Sequence, residues 1–150
     1  MRWNPNQYLK FSDHRLRPAL DLIQQIPVNQ PDRIIDLGCG PGNITNMLAE
    51  RWPQASVTGI DSSPEMLERA KNDYPDIEWR QGNITKWSAD KPADIIFSNA
   101  ALHWLDNHQD LFPSLLSMLT PGGVLAVQMP KNFDAPSHKI RDAVSGSGPW

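Results

Sequence analysis

The sequence contains a single cysteine, Cys39. No disulfide can form within the chain, and a lone thiol fits a reducing compartment, so the expected location is the cytoplasm. Long apolar runs are missing too: stretches such as GVLAVQM fall far short of the roughly 20 residues a bilayer crossing needs. No charged-then-apolar segment opens the chain, which argues against a signal peptide. Positive charge is not in excess: 14 Lys and Arg stand against 17 Asp and Glu, for a net charge of −3. Scattered cations on such a chain leave no footprint for a nucleic-acid backbone. No repeat, low-complexity tract or linker interrupts the chain, so residues 1–150 are expected to form one domain with its own core.

What is present alternates. Leu16, Leu20, Leu22, Ile23 and Ile26 recur at helical spacing, predicting a helix over about 18–26 with Pro18 in its first turn. RIIDLG then reads as a strand and NITNMLAERWP as a helix; SVTGID is a second strand, and SPEMLERAKNDYP a helix that starts at Ser63. IEWRQGNI and ADIIFSNAAL give strands three and four with their exits. NHQDLFPSLLSMLTPGG reads as a helix stopped by a Pro-Gly-Gly turn, and VLAVQMP as strand five. Alternating strands and helices imply an α/β, doubly wound, Rossmann-like parallel sheet, whose ligands lie beyond the carboxyl ends of the strands.

Strand one runs into IIDLGCGPGNIT, with Gly38, Gly40 and Gly42 close together. A dinucleotide loop requires G-x-G-x-x-G, but Asn43 occupies the last position. No Lys or Arg occurs between Arg33 and Arg51, and Pro41 removes a backbone donor, so a phosphate is not the expected ligand. Asp36 immediately before the loop suits a ligand with an ammonium group. Asp61, ending strand two, is placed to accept both hydroxyls of a ribose. Ser62 or Ser63 is left to cap the next helix. Asn83 closes strand three, where its amide is placed to read the exocyclic amine of an adenine.

DLGCGPG, TGIDSSPEML, QGNI and SNAALHWL…LTPGGVLAVQMP, in this order and spacing, resemble class I S-adenosylmethionine-dependent methyltransferases. The opening WNPNQYLKFSDHRLRPALDLIQQIP and the stretch GVLAVQMPKNFDAPSHKIRD are similar to trans-aconitate 2-methyltransferases, small bacterial enzymes that esterify one carboxylate of trans-aconitate. The resemblance implies S-adenosyl-L-methionine as cofactor. Gly38, Gly40 and Gly42 would let its methionine part lie on the loop, with Cys39 counted among the cofactor-binding residues, Asp36 near the amino group and Asn99 and Ala100 beside it. Asp61 would hold the ribose, with Ser62 also among the cofactor-binding residues, Met66 would cover the adenine, and Asn83 with Ile84 would read its edge. Cys39 is expected as a small buried loop residue and not a nucleophile.

The acceptor implied is a small carboxylic acid. A carboxylate with a pKa of about 4 is ionised at neutral pH, so no catalytic base is expected. Alignment in a dry site supplies the acceleration, up to about 7–11 kcal/mol in intramolecular models. Cations for the substrate are sought among Arg15, Arg17, Lys131 and His138, with Arg17 preferred. Tyr8 and Phe11 are candidates for an aromatic lid, and Trp104, after His103, for the pocket wall. HWLDNH offers His103, Asp106 and His108 to a metal, but no second cluster completes the set and none is expected. The resemblance further implies a monomer. It implies also two strands beyond strand five, so the sequence is expected to be the amino-terminal portion of such an enzyme, weak in binding and poor in catalysis. The rival readings are another small-molecule methyltransferase, a nicotinamide-dependent oxidoreductase, and a non-catalytic binding module.

Overall fold

Ile34 and Ile35 are successive residues of one strand, point to opposite faces, and are both buried. A strand buried on both sides requires helices on both faces of its sheet, the usual setting of parallel strands. The computed structural model describes residues 12–130 and contains five strands: β1 Arg33–Leu37, β2 Ser56–Asp61, β3 Glu78–Gln81, β4 Ala93–Asn99 and β5 Leu119–Gln128. All pair in parallel, in the order β3-β2-β1-β4-β5. The chain moves outward from β1 to β3 and then restarts on the other side of β1 with β4. That reversal opens a crevice at the carboxyl ends of β1 and β4.

Among the described residues four helices flank the sheet: α1 Ser12–Gln25, α2 Asn43–Arg51, α3 Pro64–Asp73 and α4 His108–Ser117. On one face Ile34, Ile95 and Phe97 pack with Ala19 and Ile23 of α1 and Leu48 of α2. On the other, Ile35, Ile60 and Ile96 pack with Leu102 and with Leu115 of α4. Each such side chain, fully buried, contributes roughly 1.5–3 kcal/mol. A smaller cluster of Cys39, Leu67, Ala70 and Trp79 joins the glycine loop to α3 and β3.

Two boundaries differ from the sequence reading. Pro18 lies inside α1 and not in its first turn. Its ring is exposed, and the apolar seam of Leu16, Ala19 and Ile23 continues past it, offsetting the lost backbone bond. The Pro-Gly-Gly turn does not end α4; it lies within β5. Leu119 already pairs with Ala93, and the ladder resumes at Ile95 with Val124, so residues 120–123 bulge out. Thr120 Oγ1 donates to Asp94 Oδ1 at 2.8 Å, and Gly122 takes a φ of 82° there. Burial opposes the charge on Asp94, but bonds from Thr120 and from the amides of Arg33 and Asp32 outweigh it and hold its carboxyl below the ordinary range.

Candidate functional site

The glycine loop is tied to the end of β2 by its own amides. Gly38 N and Cys39 N both donate to the Ile60 carbonyl, at 2.8 and 3.1 Å. Gly40 N donates to Asp61 Oδ2 at 2.8 Å, and Gly42 N donates back to the Cys39 carbonyl at 3.2 Å. Pro41 has no amide hydrogen. No amide from 38 to 42 is left for a phosphate oxygen, which answers the question the loop raises. Gly38, Gly40 and Gly42 all have positive φ, but for different reasons. A Cβ on Gly42 would stand 2.5 Å from Trp79 Cη2, so this glycine makes room for an indole beneath the loop. A Cβ on Gly40 would meet nothing within 4 Å, so its open side is presented to the crevice.

A cavity of about 610 Å³ lies on that side. Gly38, Gly40 and Pro41 form its floor, and Asp61, Ser62, Ser63 and Met66 one wall. Asn83 and Ile84 form the far end, while Asn99, Ala100, Ala101, Trp104 and Leu105 close the other side. Asp61 reaches it with both oxygens already anchored, Oδ1 by Ser63 N at 2.9 Å and Oδ2 by Gly40 N. Each oxygen keeps a further acceptor site, so the carboxylate is oriented and still able to take two hydroxyls. Ser63, not Ser62, caps α3, accepting from Met66 N at 3.2 Å.

Asn83 Oδ1 accepts from Thr85 N at 3.0 Å and from Thr85 Oγ1 at 2.8 Å. Both lone pairs are used, so Asn83 offers a base its Nδ2 donors and is not placed to accept from an exocyclic amine. Asn99 Oδ1, by contrast, is buried at the cavity wall without a hydrogen-bond partner among the described residues. An acceptor left in that state fits a donor brought by a ligand.

Asp36 and Cys39 lie behind the loop and do not line the cavity. Burial, and secondarily the nearby charge of Asp61, push the Asp36 carboxyl up to about 7 against the hydrogen bond from Thr45 Oγ1, 2.6 Å long. Burial also pushes the Cys39 thiol up, which leaves it an inert core residue. Arg17 is not brought to the cavity: it is exposed on α1 beside Asp21, 4.0 Å away. Asp61 is the one charged side chain among the described lining residues, so no cation lines the described cavity. Tyr8, Phe11, Lys131 and His138 lie outside the described residues, as does the side chain of Arg15.

Trp104 lines the cavity, whereas its neighbour His103 does not. The His103 ring lies 4.7 Å from that of Trp104, and desolvation lowers its pKa. His108 Nε2 is engaged with the Leu102 carbonyl, and no metal-holding group of three His, Cys, Asp or Glu occurs among the described residues. Ala101 and Leu105 join the site without having been singled out in the sequence, and Pro41 and Ser63, read there as loop and cap residues, line it as well. Leu105 follows Trp104 directly, but the short 3₁₀ turn over Leu102–Trp104 that sets both on the cavity has no periodic signature. No helix of the described residues is long and apolar enough to cross a membrane.

A family model described as a methyltransferase domain matches residues 34–123, more than half of the chain. A trans-aconitate 2-methyltransferase of Azoarcus sp. (strain BH72) is 50% identical over 148 residues, covering 99% of this chain and 58% of that relative. One from Escherichia coli O157:H7 is 48% identical over 143 residues, covering 95% of this chain and 57% of its own length. The chain thus spans somewhat over half the length of these relatives. Among solved structures, an S-adenosylmethionine-dependent methyltransferase from Mesorhizobium loti matches with a TM-score of 0.66 at 32% identity, covering 73% of this chain and 52% of that one. The plantazolicin methyltransferase BpumL, solved with a triazolic desmethylPZN analog and SAH, shares the fold, with a TM-score of 0.69 at 23% identity over 81% of this chain and 50% of its own.

Proposed function

Because this chain belongs to the methyltransferase-domain family, we propose that its cavity holds S-adenosylmethionine for methyl transfer to a carboxylate of a small polycarboxylic acid, with trans-aconitate as the acceptor. The observation that carries the cofactor is the loop itself: amides consumed by β2, an open Gly40, and Asp61 oriented with spare acceptor sites. The acceptor rests on the relatives, nearly half identical over almost the whole chain and named trans-aconitate 2-methyltransferases.

The residues present suit such a cofactor. The unpartnered Asn99 Oδ1 is matched to an ammonium donor, Asp61 to the ribose hydroxyls, Asn83 Nδ2 to a ring nitrogen, and buried Met66 to the face of a base. When bound, the cofactor supplies a methyl group on a sulfonium, open to in-line attack. The chain's part is to align and to exclude water. An ionised carboxylate needs no base, and the apolar wall of Ala101, Trp104 and Leu105 removes water where opposite charges cancel. Groups that hold the remaining carboxylates would come from beyond the described cavity lining. A cytoplasmic setting and a small-molecule acceptor are part of this reading.

Calorimetric titration with S-adenosylhomocysteine and with a nicotinamide dinucleotide tests the cofactor; only the first is expected to bind. Methylation assays with trans-aconitate beside hydroxyl and amine acceptors test the substrate class. Preferential methylation of an amine would overturn it.

A further inference from the structure

We propose that His108 is a positioning residue that holds the Trp104–Leu105 wall of the cavity through a hydrogen bond from its Nε2 to the Leu102 carbonyl. The segment between β4 and α4 is bounded by Ala100, with φ 52°, and Asn107, with φ 60°. Neither is glycine, and a positive φ strains Ala100 more than Asn107, whose short polar side chain tolerates it. Between them the chain makes one 3₁₀ turn, Leu102–Trp104, which sends Leu102 into the core and sets Trp104 and Leu105 on the cavity.

Trp104 N closes the start of this turn by donating to the Ala101 carbonyl at 3.2 Å. The Leu102 carbonyl accepts from Leu105 N at 3.0 Å and from His108 Nε2 at 2.8 Å. A carbonyl can only accept, so the His108 hydrogen sits on Nε2. The ring is steadied by Phe112, edge-on at 5.5 Å, one turn along α4. His108 therefore carries the rigidity of a packed helix into a short turn that bears two residues of the cavity wall, without touching the cavity itself. This accounts for the second histidine of HWLDNH by a role other than metal binding. The consequence for cofactor affinity rests on the methyltransferase reading; the bond to the turn does not.

The test compares His108→Leu, which removes the donor, with His108→Gln, whose amide reaches as far as Nε2. Amide hydrogen exchange over residues 100–107 is measured without ligand, and S-adenosylhomocysteine binding by calorimetry. The Leu variant is expected to exchange Leu105 N–H about five- to ten-fold faster and to bind about five-fold more weakly, with Gln restoring both to within about two-fold of wild type. Unchanged exchange in the Leu variant, or a folded Gln variant that exchanges as fast as Leu, overturns the proposal. So does a wild-type ring whose neutral form carries its hydrogen on Nδ1 by nitrogen NMR. If the wild-type chain binds no S-adenosylhomocysteine, the cofactor reading fails, and the exchange contrast alone decides the role of His108.

Discussion

The Asp61 carboxylate accepts the backbone amide of Gly40 at 2.8 Å, so the acid at the end of β2 shapes the loop that follows β1. Its other oxygen holds Ser63 N at the start of α3. One side chain thus sets the floor and one wall of the cavity before any ligand arrives.

Substitution at this position is expected to act twice. Asp61→Ala loses both backbone anchors and the two acceptor sites proposed for the ribose, and binding of S-adenosylhomocysteine should weaken by about 10- to 100-fold, the range for bonds to a charged group. Asp61→Asn, which keeps one acceptor, should fall between Ala and wild type. Isothermal calorimetry on samples with matched near-ultraviolet circular dichroism checks the order. Equal affinity for Ala and wild type would remove Asp61 from the site.

Asp36 makes stability depend on pH. Its folded pKa of about 7 lies above its value in the unfolded chain, about 4, so between these values the unfolded state releases a proton that the folded state keeps. The stability associated with the neutral carboxyl is complete below about pH 4 and is lost as pH rises through 7. Urea unfolding of wild type should therefore show a decline on the order of a few kcal/mol across that window, less any opposing contribution from other acids. Asp36→Asn should flatten it. A profile unchanged by the substitution would mean that Asp36 ionises normally in the fold.

Gly40 and Gly42 should differ although both have positive φ. Gly42→Ala drives a Cβ to 2.5 Å from the Trp79 ring as well as straining the backbone, so it should cost about 2–4 kcal/mol. Gly40→Ala has open space and should cost only about 1–2 kcal/mol in stability, but its methyl projects into the space a ligand needs. Thermal unfolding beside cofactor titration separates the two. If Trp79→Leu is added, the steric part of the Gly42→Ala loss should be relieved and the backbone part should remain.

Trp104 is 66% exposed while lining the cavity. Trp104→Ala should leave stability within about 0.5 kcal/mol of wild type. It should weaken ligand binding about five-fold through lost contact area. Unfolding and titration of the same sample check both halves of the statement.

Much of the cavity was legible because it sits at strand ends, and strand ends were marked by local chemistry. Asp61 closes a β-branched run, Asn83 follows a glycine, and Gly38 and Gly40 interrupt the most apolar strand. The misplaced features depend on partners distant in sequence. Asp36 precedes the loop, yet the packing that buries it comes from α2, including Thr45. Arg17 has the right charge on a helix that turns it to solvent. The acceptor oxygen of Asn83 is consumed by Thr85 in a 3₁₀ turn too short to carry a period.

Hydrophobic periodicity and glycine placement determined the layered α/β sheet and the crevice, since alternation of β-branched runs with helical seams admits few parallel arrangements. The tertiary structure alone decided which glycine opens on the cavity and which faces Trp79, which acid lines the cavity and which is buried behind the loop, and that a histidine bonds the turn bearing the cavity wall. Those distinctions depend on distances between residues far apart in the chain, and no local pattern encodes such distances.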